Sequence, residues 1–205
     1  MAFNDLPSAG FRSRPLDTEI IQAGNVWLRL YSSQFPDPLG FGYRSSRFSD
    51  PRMGVANDER FAVVYLGSTL KVCFLEAVLR DQGNGRVGDW LIEYAELESW
   101  TCAKVRVIEP LRLVDLRGDG PIRMGIPSNV PRSTGHALSQ TWSAGIWSHD
   151  MRPDGIIYPS RLNGETNVAV YDHALSKLAA EATPRLLDCR TELADVLRDL
   201  AVAIV

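Results

Sequence analysis

Residues 63–81, VVYLGSTLKVCFLEAVLRD, read as a strand running into a helix. Phe61 to Leu66 (FAVVYL) is a short β-rich run. Gly67 interrupts it, and Ser68 or Thr69 supplies a cap for the helix that follows. From Leu70 to Leu79 almost every residue is apolar, yet Glu76 stands in their midst. Its helical neighbours at offsets of three and four are Val72, Cys73, Leu79 and Arg80, three of them apolar. Glu76 therefore lies on or beside a face that wants burial. An unpaired buried carboxylate is costly and needs a partner or a cavity. A solvated Glu at the edge of that face, or a Glu76–Arg80 surface pair, is the plain alternative, and the helix alone does not choose between them.

The rest of the chain narrows the setting. Its 205 residues suggest one domain, 1–205, with residues 1–18 as a loose lead-in. Hydrophobic residues make up 45% and charged residues 23%, the balance of a soluble globular protein. A net charge of -3 argues against a general nucleic-acid binder, which carries a basic surplus. Cys73, Cys102 and Cys189 are scattered, odd in number and without metal spacing, which predicts reduced thiols in a cytoplasmic protein. No run is long and apolar enough to span a membrane, and the N-terminus shows no apolar core of a secretory signal.

Further elements follow from periodicity. Asn25 to Tyr31 (NVWLRLY) alternates as a strand, with Val26, Leu28 and Leu30 on one side and Trp27, Arg29 and Tyr31 on the other. Residues 32–60 are rich in Gly, Pro, Ser and Asp, a long irregular stretch of the kind that carries function. Residues 83–88 (GNGRVG) read as a turn, and strands are predicted at Trp90–Leu97, Ala103–Val107, Leu111–Leu116, Gly155–Tyr158 and Asn167–Tyr171. Ser139–His149 and Leu186–Leu200 read as helices, and the terminal AVAIV as a closing strand. Strands and helices mix without strict alternation. The predicted class is α+β, with largely antiparallel sheets and flanking helices.

Several motifs are absent. Gly40-Phe-Gly42 starts a G-x-G, but Ser45 holds the third Gly position, so no dinucleotide fingerprint is present. There is no P-loop, no G-x-S-x-G elbow, and no H-E-x-x-H or C-x-x-C; zinc chemistry is not expected. His136 is a conceivable base, although a lone His is more often structural. Three arginines stand out. Arg29 sits in an otherwise apolar strand, and Arg44 and Arg47 lie in YRSSRFSDP, close to Tyr43 and Phe48. Planar guanidiniums near aromatic and small residues suit a diphosphate or carboxylate. An edge-strand ion pair for Arg29, and loop solubility for Arg44 and Arg47, are the ordinary readings.

Taken in order, WLRLY, SSRFSDPR, VVYLGSTLKVCFLEAVLRD, LRLVDL, SQTWSAGIW and DGIIYPSR resemble the RES domain family, from about Trp27 to Asp172. The chain has Phe48-Ser49 where many members have Trp-Asn. The resemblance implies an ADP-ribosyltransferase-like fold. It implies a toxin that consumes NAD as substrate, as an NAD glycohydrolase or as an NAD phosphorylase with inorganic phosphate as co-substrate, without a metal. It also implies neutralisation by an Xre-like antitoxin, a homodimer, no membrane role, and no contact with nucleic acid except through the antitoxin. On this resemblance Glu76 would stabilise the oxocarbenium-like state formed as the nicotinamide–ribose bond breaks. Arg29 and Arg47 would bind pyrophosphate or the attacking phosphate. Tyr65 would stack on nicotinamide or hold its ribose, and Ser160 would bond the carboxamide or a phosphate. Tyr43 and Arg44 are candidates at the cleft mouth. Ser160 in YPSR is the first choice for the family's serine, and Ser139 the second. A protein ADP-ribosyltransferase and a catalytically inactive binding module are the competing readings.

Overall fold

A computed structural model describes residues 6–80 and 89–205; the turn expected at 83–88 lies outside them. The chain folds as α+β around one large sheet of eight strands. In chain order these are β1 (Thr18–Ile21), β2 (Val26–Ser32), β3 (Val63–Gly67), β5 (Trp100–Val107), β6 (Leu111–Asp115), β7 (Gly155–Pro159), β8 (Thr166–Tyr171) and β9 (Leu178–Ala182). They lie side by side as β1-β6-β7-β8-β3-β2-β5-β9. Each neighbouring pair is antiparallel except β6 and β7. A small parallel pair joins β4 (Trp90–Ile92) to β10 (Val202–Ile204), the closing strand.

The alternation of each strand sends its side chains to two faces. One face collects Trp27, Tyr31, Val64, Leu66, Leu113, Ile157 and Val168, together with Ile21 of β1 and Leu178 of β9. Residues from both edge strands share this cluster, so the sheet is curled, with this face on its inside. The other face carries two separate packed regions. In the first, Val63, Tyr65, Ile156, Tyr158 and Tyr171 meet Trp142 and Ile146 of α4 (His136–Trp147). In the second, Leu28, Leu30 and Cys102 meet Phe74 of α1 (Leu70–Phe74) and Leu193 and Val196 of α5 (Arg190–Asp199). The seam between these regions positions the site. Along it, β2 and β3 pair only at Leu28 opposite Gly67.

Several expectations change. The predicted strand 90–97 stops at Ile92, and Tyr94–Glu98 forms a short helix, α2, that buries Leu97 completely. Alternation in WLIEYAEL cannot distinguish one strand from a strand followed by a single helical turn. β1, β9 and the short α3 (Gly120–Met124) gave no clear signal. β9 is LAAEA, whose alanines favour helix; pairing with β5 imposes the strand. In the segment before β1, Phe11 is 2% exposed and packs edge-on to Trp142 at 5.0 Å. No helix among the described residues is long and apolar enough to cross a membrane.

Candidate active site

Glu76 is placed by two local features of the chain. Thr69 caps α1, its side chain accepting the Val72 N–H at 3.1 Å. Gly67 lets the helix lie directly on the end of β3, since a Cβ there would stand 2.6 Å from Cys73 Sγ and 2.7 Å from Val72 Cγ1. α1 buries Leu70, Val72, Cys73 and Phe74, then widens into a π-helical turn over Leu75–Leu79. The wider turn buries Val78 and Leu79 while Glu76 stays half-buried, facing a cleft. Single π turns of this kind recur at functional sites. The turn ends at Arg80, whose φ of 46° is in the left-handed region.

The cleft has a volume of about 440 Å³ and lies between β3, α1, the start of α4 and the β7–β8 connection. Two buried donors hold the Glu76 carboxylate. Ser160 Oγ, just past β7, donates to Oε1 at 2.7 Å, and Asn167 Nδ2, on β8, donates to the same oxygen at 3.3 Å. Ser160 is 2% and Asn167 4% exposed. Oε2 makes no hydrogen bond among the described residues. Fixing one oxygen and leaving the other open suits a carboxylate that meets a ligand.

Arg47 also lines the cleft. Its loop is fastened on both sides. The Tyr65 hydroxyl accepts the Phe48 N–H at 2.8 Å and bonds Ser46 Oγ at 2.9 Å. Gln140 Nε2, from α4, donates to Ser46 O at 2.9 Å, Ser45 Oγ at 2.9 Å and Ser49 Oγ at 3.2 Å. Ser143 adds a bond to Phe48 O at 2.7 Å. Arg47 Nη1 then reaches Ser133 O at 2.6 Å, joining two loops over the cleft. Burial pushes the Tyr65 phenol up to about 12, so it is a neutral hydroxyl at ordinary pH. His136 lines the same cleft, and partial burial together with the Arg47 charge lowers its pKa.

The structure thus brings Glu76, Arg47, Tyr65 and Ser160 to one cleft. The Tyr65 hydroxyl is committed to the Arg47 loop, while its half-buried ring lines the cleft. Arg29 does not join them. It shares the side of β2 that bears Trp27 and Tyr31, away from Leu30, which lines the cleft. Its guanidinium donates to Pro38 O at 2.6 Å and Gly40 O at 2.8 Å, tethering the 32–60 stretch. Tyr43 packs edge-on to Phe41 and beneath the Arg60 guanidinium, and Arg44 is exposed; neither lines the cleft. Ser139 is fully buried and donates to Val130 O at 2.5 Å, a packing role.

Sequence reasoning missed Asn167 and Gln140. Asn167 had a faint signal, as the one amide in the strand run NVAVY. Gln140 had none, because its contacts lie more than 90 residues back along the chain.

Comparison with known proteins bears on the family and the fold. The chain is 46% identical over 127 residues to "Probable toxin y4kH" of Sinorhizobium fredii (strain NBRC 101917 / NGR234), taking in 62% of this chain and 100% of that protein. Its fold is similar to a chain in the crystal structure of the M. tuberculosis MbcT–MbcA toxin–antitoxin complex. The TM-score is 0.61 at 15% identity, over 89% of this chain and 91% of that one. A family model described as the RES domain matches residues 24–194, and with that span of the sequence accounted for, the chain belongs to the RES domain family.

Proposed function

We propose that this protein is the toxin of a toxin–antitoxin pair and that it destroys NAD by cleaving the nicotinamide–ribose bond. The observation that carries this reading is the Glu76 carboxylate, held on one oxygen by Ser160 and Asn167 in a cleft that also contains Arg47. A volume of about 440 Å³ falls within the range of small-molecule sites.

The chemistry follows from the residues. As the bond from ribose C1′ to the nicotinamide nitrogen lengthens, positive charge develops on the ribose, and nicotinamide leaves as a neutral base. A preorganised carboxylate stabilises that charge more than it stabilises the ground state. Glu76 Oε2 is the atom available for it. Arg47, with its loop pinned, supplies a fixed positive charge for the pyrophosphate. Attack by water gives ADP-ribose; attack by inorganic phosphate gives the 1-phosphate of ADP-ribose. Tyr65 and Gln140 act one step back by holding the Arg47 loop.

The expected partner is an Xre-like antitoxin, with nucleic acid reached only through it, and the protein is expected to act in the cytoplasm as a homodimer. The MbcT–MbcA structure is of a toxin–antitoxin complex, which favours a protein partner of this kind. The test is NAD loss by purified protein, with and without phosphate, beside Glu76→Gln. Loss in the wild type and its absence in a folded Glu76→Gln protein supports the reading, and the product identifies the nucleophile. NAD left intact, or an equally active Glu76→Gln, overturns it. ADP-ribose label transferred onto a protein band would instead establish protein ADP-ribosylation.

A further inference from the structure

A second hollow, of about 320 Å³, lies at the edge of the large sheet. Its lining is Ile20, Pro110, Arg112, Arg152, Asp154 and Lys177, and it shares no residue with the active-site cleft. Ile20 of β1 and Arg112 of β6 are cross-strand partners there. Asp154, just before β7, organises the hollow. It is 6% exposed, and its Oδ2 accepts the Arg112 N–H at 2.7 Å. Both of its oxygens accept Lys177 Nζ at 2.8 Å.

That pairing accounts for the carboxylate and for one cation. The guanidiniums of Arg112 and Arg152 remain, and neither has an ion pair or side-chain hydrogen bond among the described residues. Three cationic side chains thus surround one carboxylate, on a chain whose net charge is -3. A concave cationic site of this kind concentrates anions. The backbone adds a second, independent observation. Arg152 has φ +44°, in the left-handed region that glycine enters freely and long side chains rarely adopt. The tight turn, with Arg152 N–H on His149 O at 2.9 Å, asks for glycine, yet the residue present is an arginine facing the hollow.

We propose that this hollow binds a small phosphate-bearing anion, with Arg112 and Arg152 as its two guanidinium donors and the Asp154-oriented Lys177 as a third cation. Two unneutralised guanidiniums match the charge of a phosphate dianion, and each presents a planar fork to its oxygens. The exposed Ile20 and Pro110 give an ester's organic portion an apolar wall.

The test starts from Arg47→Gln protein, which removes one cation of the active-site cleft; any binding left in that cleft is recognised by its indifference to Arg112 and Arg152. Inorganic phosphate and glycerol phosphate are titrated by phosphorus NMR at constant ionic strength in chloride. Arg152→Gly and Arg112→Gln are each added to this background. Arg152→Gly relieves the backbone, so its melting temperature is expected to hold or rise, which separates lost binding from lost folding. The expected result is saturable binding that either substitution weakens at least tenfold. Tighter binding of glycerol phosphate identifies an ester as the ligand; equal binding identifies free phosphate. Absence of saturable binding, or binding that neither substitution alters, overturns the proposal. It is also overturned if a glutamate hexapeptide binds in an Arg152-dependent way while phosphate does not, since the site then serves a carboxylate-bearing partner.

Discussion

Replacing Ser160 by alanine removes the shorter of the two bonds that hold Glu76, and the cost can be worked from the geometry. The Ser160 Oγ to Glu76 Oε1 distance is 2.7 Å, within the charge-assisted range. Such bonds are worth about 1.5–3 kcal/mol. One partner is 2% exposed but the other faces an open cleft, so the lower half applies, about 1.5–2 kcal/mol. Ser160 Oγ also accepts the Leu162 N–H at 3.1 Å, and losing that acceptor adds about 1 kcal/mol. Ser160→Ala is therefore expected to destabilise the fold by roughly 2.5–3 kcal/mol. When Glu76 is already alanine, only the Leu162 share remains. A double-mutant cycle over Ser160→Ala and Glu76→Ala, read by urea unfolding, should give a coupling of about 1.5–2 kcal/mol. If Glu76 does the proposed chemistry, Ser160→Ala should also lower kcat for NAD loss by about 10–30-fold, with KM little changed. A coupling below about 0.5 kcal/mol, the ordinary scatter of independent sites, would refute the claim that Ser160 positions the carboxylate.

Three other outcomes are expected. Arg29→Lys cannot reproduce the fork to Pro38 O and Gly40 O; it should destabilise the protein by about 1–3 kcal/mol in urea while leaving the KM of the proposed NAD reaction nearly unchanged, because Arg29 lies outside the cleft. His136 has a folded pKa below its unfolded value near 6.5, so the unfolded chain takes up the proton first as pH falls. Its contribution is present above about pH 6.5 and is lost below it, and His136→Gln should flatten that part of a melting-temperature profile between about pH 7.5 and 5. Gly67→Ala drives a methyl into Cys73 Sγ and Val72 Cγ1, and should cost about 1–3 kcal/mol and shift Glu76; on the proposed chemistry this shows as a drop in NAD loss larger than the drop in stability explains.

Local signals were legible where neighbouring residues alone settle the conformation. A strand over 61–66, a cap at Ser68 or Thr69 and a helix after it follow from β-branched residues, a capping hydroxyl and an apolar run; the structure shifts the strand to Val63–Gly67, with Gly67 inside it, and makes Thr69 the cap. The π turn at 75–79 was not legible; in it Val78 and Leu79 are buried against residues distant along the chain, such as Leu30, Leu97 and Leu193. Arg29 and Arg47 looked alike in sequence, as guanidiniums near aromatics. They part company through strand parity and loop anchoring. Arg29 is on the Trp27 and Tyr31 side of β2, while the Arg47 loop is drawn into the cleft by Tyr65 and Gln140.

What the sequence by itself determined is the set of chemical groups, the main strands and helices, and the ordered motifs that mark the RES domain family, all properties of residues close together along the chain. The tertiary structure alone decided which groups meet. Glu76 and Ser160 are 84 positions apart, and Glu76 and Asn167 are 91. They come together because the tip of the β7–β8 hairpin sits beside the end of β3 and the α1 that it launches. Strand order and register are set by burial across the whole sheet, which no local pattern encodes. For that reason the sequence could name Glu76 and Ser160 as candidates, and could not show that they meet each other.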